Sequence, residues 1–156
     1  MKSLYLLLLA LVAAPLTAQS HDASNARMQA RGQMAMGVNQ NASRHVFDDL
    51  PDGGRIELQA DSVDSTAIAA IRAHLSTVAS AFQAGNFSTP EFVHAGPVPG
   101  AYVMAARKSA ITYAFAALPR GGEVRITTHD LEALHAIHRF LAYQRQEHHA
   151  SGHDMH

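Results

Sequence analysis

The chain has 156 residues, with 13 acidic and 12 basic side chains and a formal net charge of −1. This balance gives no support to a nucleic acid or an anionic membrane surface as a partner. The absence of cysteine excludes disulfide bonds and thiolate metal ligands. A chain of this length predicts one domain whose apolar core is large enough to hold the fold by itself.

Residues 1–18 are typical of a secretory signal peptide. Lys2 supplies the positive start, and the apolar run over residues 4–14 is too short to span a bilayer. With cleavage predicted after Ala18, we expect a periplasmic or secreted protein that has no integral membrane segment once the signal is removed. Residues 19–43 are polar and aperiodic, which predicts a flexible leader.

The middle of the chain contains an internal repeat. The segment "LPDGGRIELQAD", which begins at Leu50, matches "LPRGGEVRITTHD", which begins at Leu118. In both segments a Pro-x-Gly-Gly turn lies between two alternating apolar runs, a pattern that predicts a β-hairpin. The four strands are expected at residues 44–50, 54–60, 110–117 and 123–128.

An amphipathic helix is predicted after each hairpin. The first begins after Asp64, a good N-cap, and ends at Gly85. Its apolar residues recur at helical spacing, namely Ile68, Ile71, Leu75, Val78 and Phe82. The second begins near Thr128 or His129, and its predicted stripe is Leu131, Leu134, His138 and Leu141.

The predicted fold is therefore α+β. Two ββα repeats form a four-stranded antiparallel sheet with two helices on one face, in a single domain over residues 44–149. Residues 86–108 contain three prolines and are expected to form a linker loop with one short helix near 102–108. Residues 150–156 form a His-rich tail.

Histidine is the unusual component of this sequence. All eleven histidines follow Ala18, and imidazole is the commonest metal ligand in proteins. His45 shares a strand face with Phe47, His74 flanks the first helix stripe, His94 lies in the linker, and His138 takes an apolar position of the second helix. We expect these four to be core ligands, with Met104 as a weak axial or Cu(I) ligand and His148 closing the site from the end of the second helix. No zinc motif such as HExxH is present, and the alternative is that each histidine is bonded to a nearby carbonyl.

The N-terminus offers a second metal-binding arrangement. After cleavage at Ala18 the chain would begin Gln19-Ser20-His21. A free amine, two amide nitrogens and the imidazole of His21 would then form a square-planar set of four nitrogens, which suits Cu(II) and Ni(II).

Five segments of the chain resemble a family of small exported bacterial proteins to which no activity is assigned. They are "MGVNQNASRHVFDDLPDGG", "IRAHLSTVASAFQAGNFSTPEFVH", "VPGAYVM", "GGEVRITT" and "ALHAIHRFLAYQRQEH", and the resemblance covers residues 36–152. Some members carry a transcarbamylase-like label, which we discount because this chain is too short for two α/β domains with a phosphate site between them.

The resemblance also implies which positions matter. The recurring positions of the family correspond to Met36, Gln40, His45, Phe47, His74, His94, Met104, His138 and His148. Relatives tend to have His-His-Phe where this chain has His45, Val46 and Phe47, so one imidazole of the family pattern is absent. Recurring His and Met positions add to the expectation of a metal.

We therefore predict a periplasmic protein that binds a transition metal and acts in sequestration or delivery. Copper is the first choice, ahead of zinc and nickel. A metal-dependent enzyme with an open coordination position is the alternative from another class. A third is an interaction module, with sheet edges that pair with a protein partner or a second copy. A haem protein with His and Met axial ligands is the fourth.

Overall fold

The structure is a computed structural model, and it describes residues 16–37, 39 and 42–150. These residues form a four-stranded antiparallel sheet of order β1-β2-β4-β3 with helices packed on one side. The strands are β1 (Ser43–Leu50), β2 (Gly53–Ala60), β3 (Ile111–Leu118) and β4 (Gly121–Thr128). The predicted α+β class with two ββα units is confirmed.

Five α-helices complete the described structure. They are α1 (Leu16–Met36), α2 (Ser65–Gln83), α3 (Ser88–His94), α4 (Ala101–Ala106) and α5 (Leu131–Glu147). A single 3-10 turn at Lys108–Ala110 leads into β3. Within the described ranges, no helix combines the length and the apolar character needed to cross a bilayer.

The two hairpins join side by side through β2 and β4. Ile56 of β2 faces Phe47 on one side and Val124 on the other, and Val124 in turn faces Phe115 of β3. This register places one apolar row across all four strands. Because side chains alternate along a strand, residues two positions away, such as His45, lie on the same face as Phe47.

Helix α2 lies on this face as the sequence predicted. The Asp64 side chain caps it by accepting hydrogen bonds from the amides of Thr66 and Ala67. All five apolar residues of the predicted stripe are buried. Arg72 fastens the helix to the sheet, since its Nε and Nη2 donate to the carbonyls of Gly121 and Leu118 at 3.0 and 2.6 Å.

Helix α5 presents a different face from the one predicted. Its N-cap is Asp130, and Leu131, the first residue of the predicted stripe, is 73% exposed. The buried face is made largely of small side chains followed by large ones, and it consists of Ala133, Ala136, Ile137, Phe140, Leu141 and Gln144. Alanine fits where the helix lies close to its neighbours. The tightest contacts are therefore made by residues that contribute little to the hydrophobic pattern of the sequence.

The predicted flexible leader is replaced by helix over residues 16–36. Met28, Gly32 and Met36 are its buried residues among those with described side chains, and they recur at a spacing of four. Arg31 Nε donates to the carbonyl of Val93 at 2.7 Å, which ties α1 to α3. Glycine in the middle of this stripe reduces the difference in hydrophobicity between the two faces of the helix. For this reason the sequence shows no clear helical period here.

The linker is also more helical than predicted, because it contains both α3 and α4. Gly100 begins α4 with φ of 83° and lies against α5. A Cβ atom at this position would lie 2.2 Å from the carbonyl oxygen of Ala136. Only glycine therefore permits this approach of the two backbones. Most of the predicted signal peptide, Gln40 and all but the first residue of the predicted His-rich tail lie outside the described residues.

Candidate metal centre

Four of the predicted metal-ligating histidines line one cavity of about 80 Å³. They are His45 of β1, His74 of α2, His94 at the end of α3 and His148 just after α5. The remaining wall is mainly apolar, with side chains such as Phe47, Leu58 and Phe82. Four separate elements thus bring imidazoles to a space large enough for an ion or a few water molecules.

The position of His148 follows from the way α5 is anchored to β1. Arg145 Nη1 donates to the carbonyl of Phe47 at 2.8 Å, and both terminal nitrogens of Arg145 reach the carboxylate of Asp49 at 3.1 and 3.2 Å. The ion pair between Arg145 and Asp49 is largely buried. It holds the end of α5 over the strand that carries His45.

The imidazole rings lie close to one another. The ring centroid of His148 is 5.3 Å from that of His45 and 5.1 Å from that of His94. Two imidazoles that share one metal ion, with metal–nitrogen bonds of about 2 Å and tetrahedral angles, have centroids about 5 Å apart. The separation therefore suits a shared ion. Within residues 16–37, 39 and 42–150, however, no group of three or more His, Cys, Asp or Glu side chains is arranged to hold one.

His94 has a defined hydrogen-bonding state. Its Nε2 lies 3.1 Å from Oε1 of Gln144. An amide oxygen can only accept, so Nε2 carries the proton and Nδ1 keeps a lone pair. That Nδ1 atom is buried and, among the described residues, has no hydrogen-bond partner; the amide nitrogen of Gln144 is in the same situation. Buried polar atoms without a protein partner beside a cavity mark a place where a water molecule or an ion can bind.

His74 is oriented from the opposite side by α1. Its ring is hydrogen-bonded to the backbone carbonyl of Ala35. Metal-ligating histidines usually make such a bond through the nitrogen that does not contact the metal. Met36, the next residue, also lines the cavity and is 7% exposed.

Burial keeps these imidazoles neutral. It lowers the pKa of His45 to about 4, with a further decrease from His74. Burial also lowers the pKa of His148 to about 3, assisted by His45, His94 and His149. The pKa values of His74 and His94 are lowered by burial as well, against a smaller opposing effect of their hydrogen bonds. Neutral imidazole is the form that binds a metal ion.

The cavity adjoins a polar pocket of about 310 Å³ that shares two of its histidines. His45 and His148 line both spaces, and the polar pocket also contains Asp61, Glu147 and His149. The two shared rings therefore lie between the apolar cavity and the polar pocket. An ion that enters from the polar side would meet them first.

Two predicted site residues lie away from the cavity, and the side chain of a third is outside the described part of the structure. His138 Nε2 is 3.0 Å from the carbonyl oxygens of both Leu50 and Gly53, so this ring closes the β1–β2 hairpin and is not part of the cavity lining. Met104 is fully buried in the core and does not line the cavity either. The backbone of His21 lies in α1, but its side chain is outside the described part of the structure.

Two lining residues were absent from the predicted ligand set. Gln144 was missed because glutamine is rarely a core residue. Its place four residues after Phe140 and three after Leu141, on the buried face of α5, is the pattern that could have revealed it. Met36 was assigned to the leader, where it was noted with Met28 and Met34 as a thioether that prefers Cu(I), and it recurs in the resembling family.

Comparison of the chain with protein-family models, with curated proteins and with solved structures found no match.

Proposed function

We propose that this protein binds a transition metal ion, copper first, in the cavity lined by His45, His74, His94 and His148, and that it sequesters or delivers the ion in the periplasm. The observation that carries the proposal is the unpartnered Nδ1 atom of His94. The atom is buried, the ring is held by Gln144 through its other nitrogen, and it lies beside a second neutral imidazole.

The donor set supports a transition metal over calcium or magnesium. Those two ions prefer carboxylate and carbonyl oxygens, whereas imidazole suits copper, zinc and nickel. Because three ligands are not yet arranged around one point, binding requires the rings to rotate about their side-chain bonds. His148 follows the last helical residue of α5 and is the ring with the least regular backbone around it.

Sequestration or delivery is favoured over catalysis by the character of the lining. Among the described residues that line the cavity there is no Asp, Glu or Lys. A base beside the metal would have to be another imidazole, and each imidazole is needed as a ligand. The small volume of the cavity also leaves little space for an organic substrate.

The test is metal titration of the untagged chain without residues 1–18, with Cu(I), Cu(II), Zn(II) and Ni(II), in a His21→Gln background that removes the predicted N-terminal set of four nitrogens. We expect one ion per chain and a higher melting temperature of the loaded protein. His94→Gln and His148→Gln should each weaken binding by about tenfold or more. His135→Gln, at an exposed position of α5, is the matched control and should leave the affinity unchanged.

A truncation that removes residues 151–156 separates the cavity from the C-terminal histidines. Binding that survives the truncation and is lost in His94→Gln supports the proposal. Binding that is insensitive to His94→Gln and His148→Gln but disappears with residues 151–156 would place the metal on the tail and refute it.

A further inference from the structure

The lining of the cavity carries no charged side chain to neutralise a cation. None of the 18 described residues that line it is Asp, Glu, Lys or Arg. The cost of transferring an ion into an apolar region increases with the square of its charge, so a divalent ion costs about four times as much as a monovalent ion of the same size. This wall therefore disfavours Zn(II) and Cu(II) relative to a monovalent ion.

A thioether is present among the lining residues. Met36 is the last residue of α1, is 7% exposed, and follows directly after Ala35, whose carbonyl orients His74. Two other methionines provide a contrast. Met34 is 70% exposed, and Met104 is buried in the core without lining the cavity. Soft thioether sulfur selects Cu(I) among the metals that imidazole also binds.

From the uncharged wall and the placement of Met36, we infer that the cavity binds copper as Cu(I), with the Met36 sulfur as a ligand beside the imidazoles. The inference rests on the proposed metal site and specifies the oxidation state and one ligand of that site. Cu(II) is less suited to it, because tetragonal geometry with nitrogen and oxygen donors is the arrangement that Cu(II) prefers. The only side-chain oxygens among the lining residues are those of Thr89 and Gln144.

The experiment is an anaerobic Cu(I) titration in competition with a chromogenic Cu(I) chelator, with Cu(II) and Zn(II) titrated in parallel. We expect the chain without residues 1–18, in the His21→Gln background that removes the predicted N-terminal Cu(II) arrangement, to bind Cu(I) more tightly than either divalent ion by at least about tenfold. Met36→Leu should weaken Cu(I) binding by about tenfold or more while leaving Zn(II) binding within about twofold. Met34→Leu is the matched control on the same helix.

X-ray absorption at the copper edge tests the ligand directly and does not depend on affinity. The Cu(I)-loaded wild-type protein should show a copper–sulfur shell that is lost in Met36→Leu and retained in Met34→Leu. Zn(II) or Cu(II) bound as tightly as Cu(I), or a wild-type spectrum without sulfur, overturns the inference and leaves the metal site standing. If the chain binds no metal at all, both the inference and the proposed function fail.

Discussion

Acidification should destabilise the metal-free protein through its buried imidazoles. The pKa of His45 is about 4 and that of His148 about 3 in the folded state, against an ordinary value of 6.5. At pH 5 both rings are therefore charged in the unfolded chain and neutral in the folded one. The unfolded state binds more protons, so stability is greatest above pH 6.5 and is lost as the pH falls towards 4 and 3.

The size of the effect follows from the same values. Between pH 7.5 and pH 5, each of the two rings removes about 2 kcal/mol from the free energy of unfolding. His74 and His94, whose pKa values are also lowered, add to the loss in the same direction. A total of about 4 kcal/mol is a large share of the 5–15 kcal/mol that is typical of a domain.

Urea denaturation at half-unit steps from pH 7.5 to pH 5 measures this dependence. His45→Phe removes one titrating ring and places an apolar ring beside Phe47, so its loss of stability over this range should be smaller by about 2 kcal/mol. His135→Gln, the exposed control, should follow the wild type. The reasoning is refuted if the wild-type stability is flat or increases on acidification, or if His45→Phe keeps the full wild-type dependence.

Two further substitutions test how the scaffold is held. Gly100→Ala should lower the free energy of unfolding by at least about 2 kcal/mol, because φ is positive and the new Cβ would collide with the carbonyl of Ala136. Thermal melts measure the effect, and Gly96→Ala, with open space around it, is the control. His138→Leu should cost about 1–3 kcal/mol in urea denaturation because it removes the bond to the hairpin carbonyls. It should leave metal affinity unchanged, and a tenfold loss of affinity would return His138 to the ligand set.

The fold could be predicted where the sequence contains clear turn residues, helix caps and apolar stripes. The Pro-x-Gly-Gly turns placed both hairpins correctly, and Asp64 with its stripe placed α2 within two residues. Prediction was wrong where close packing used small residues. Helix α5 buries Ala133 and Ala136 while Leu131 is exposed, and α1 packs through a stripe that contains Gly32.

A histidine-rich site could be predicted from the sequence, but only some of the residues that line the cavity were identified. The alternation of β1 placed His45 on the same face as Phe47, and the cavity contains both. His138 fitted the same apolar pattern but lies beside the hairpin, since the actual buried face of α5 is rotated from the predicted one. No local pattern could bring His94 and His148 together, because their contact depends on how α3 and α5 meet.

The internal repeat relates the two halves of the sheet by an approximate two-fold rotation, and the histidine-lined cavity is present at only one of the two equivalent positions. Counted from the two Pro-x-Gly-Gly turns, the position of His45 in the first half corresponds to Tyr113 in the second. There a phenol ring packs edge-on against Phe82 with centroids 5.7 Å apart, so the equivalent space is filled. A protein assembled from two copies of the first half would therefore have an imidazole at the second position as well. If the proposed copper site is correct, this protein should bind two copper ions where the natural chain binds one.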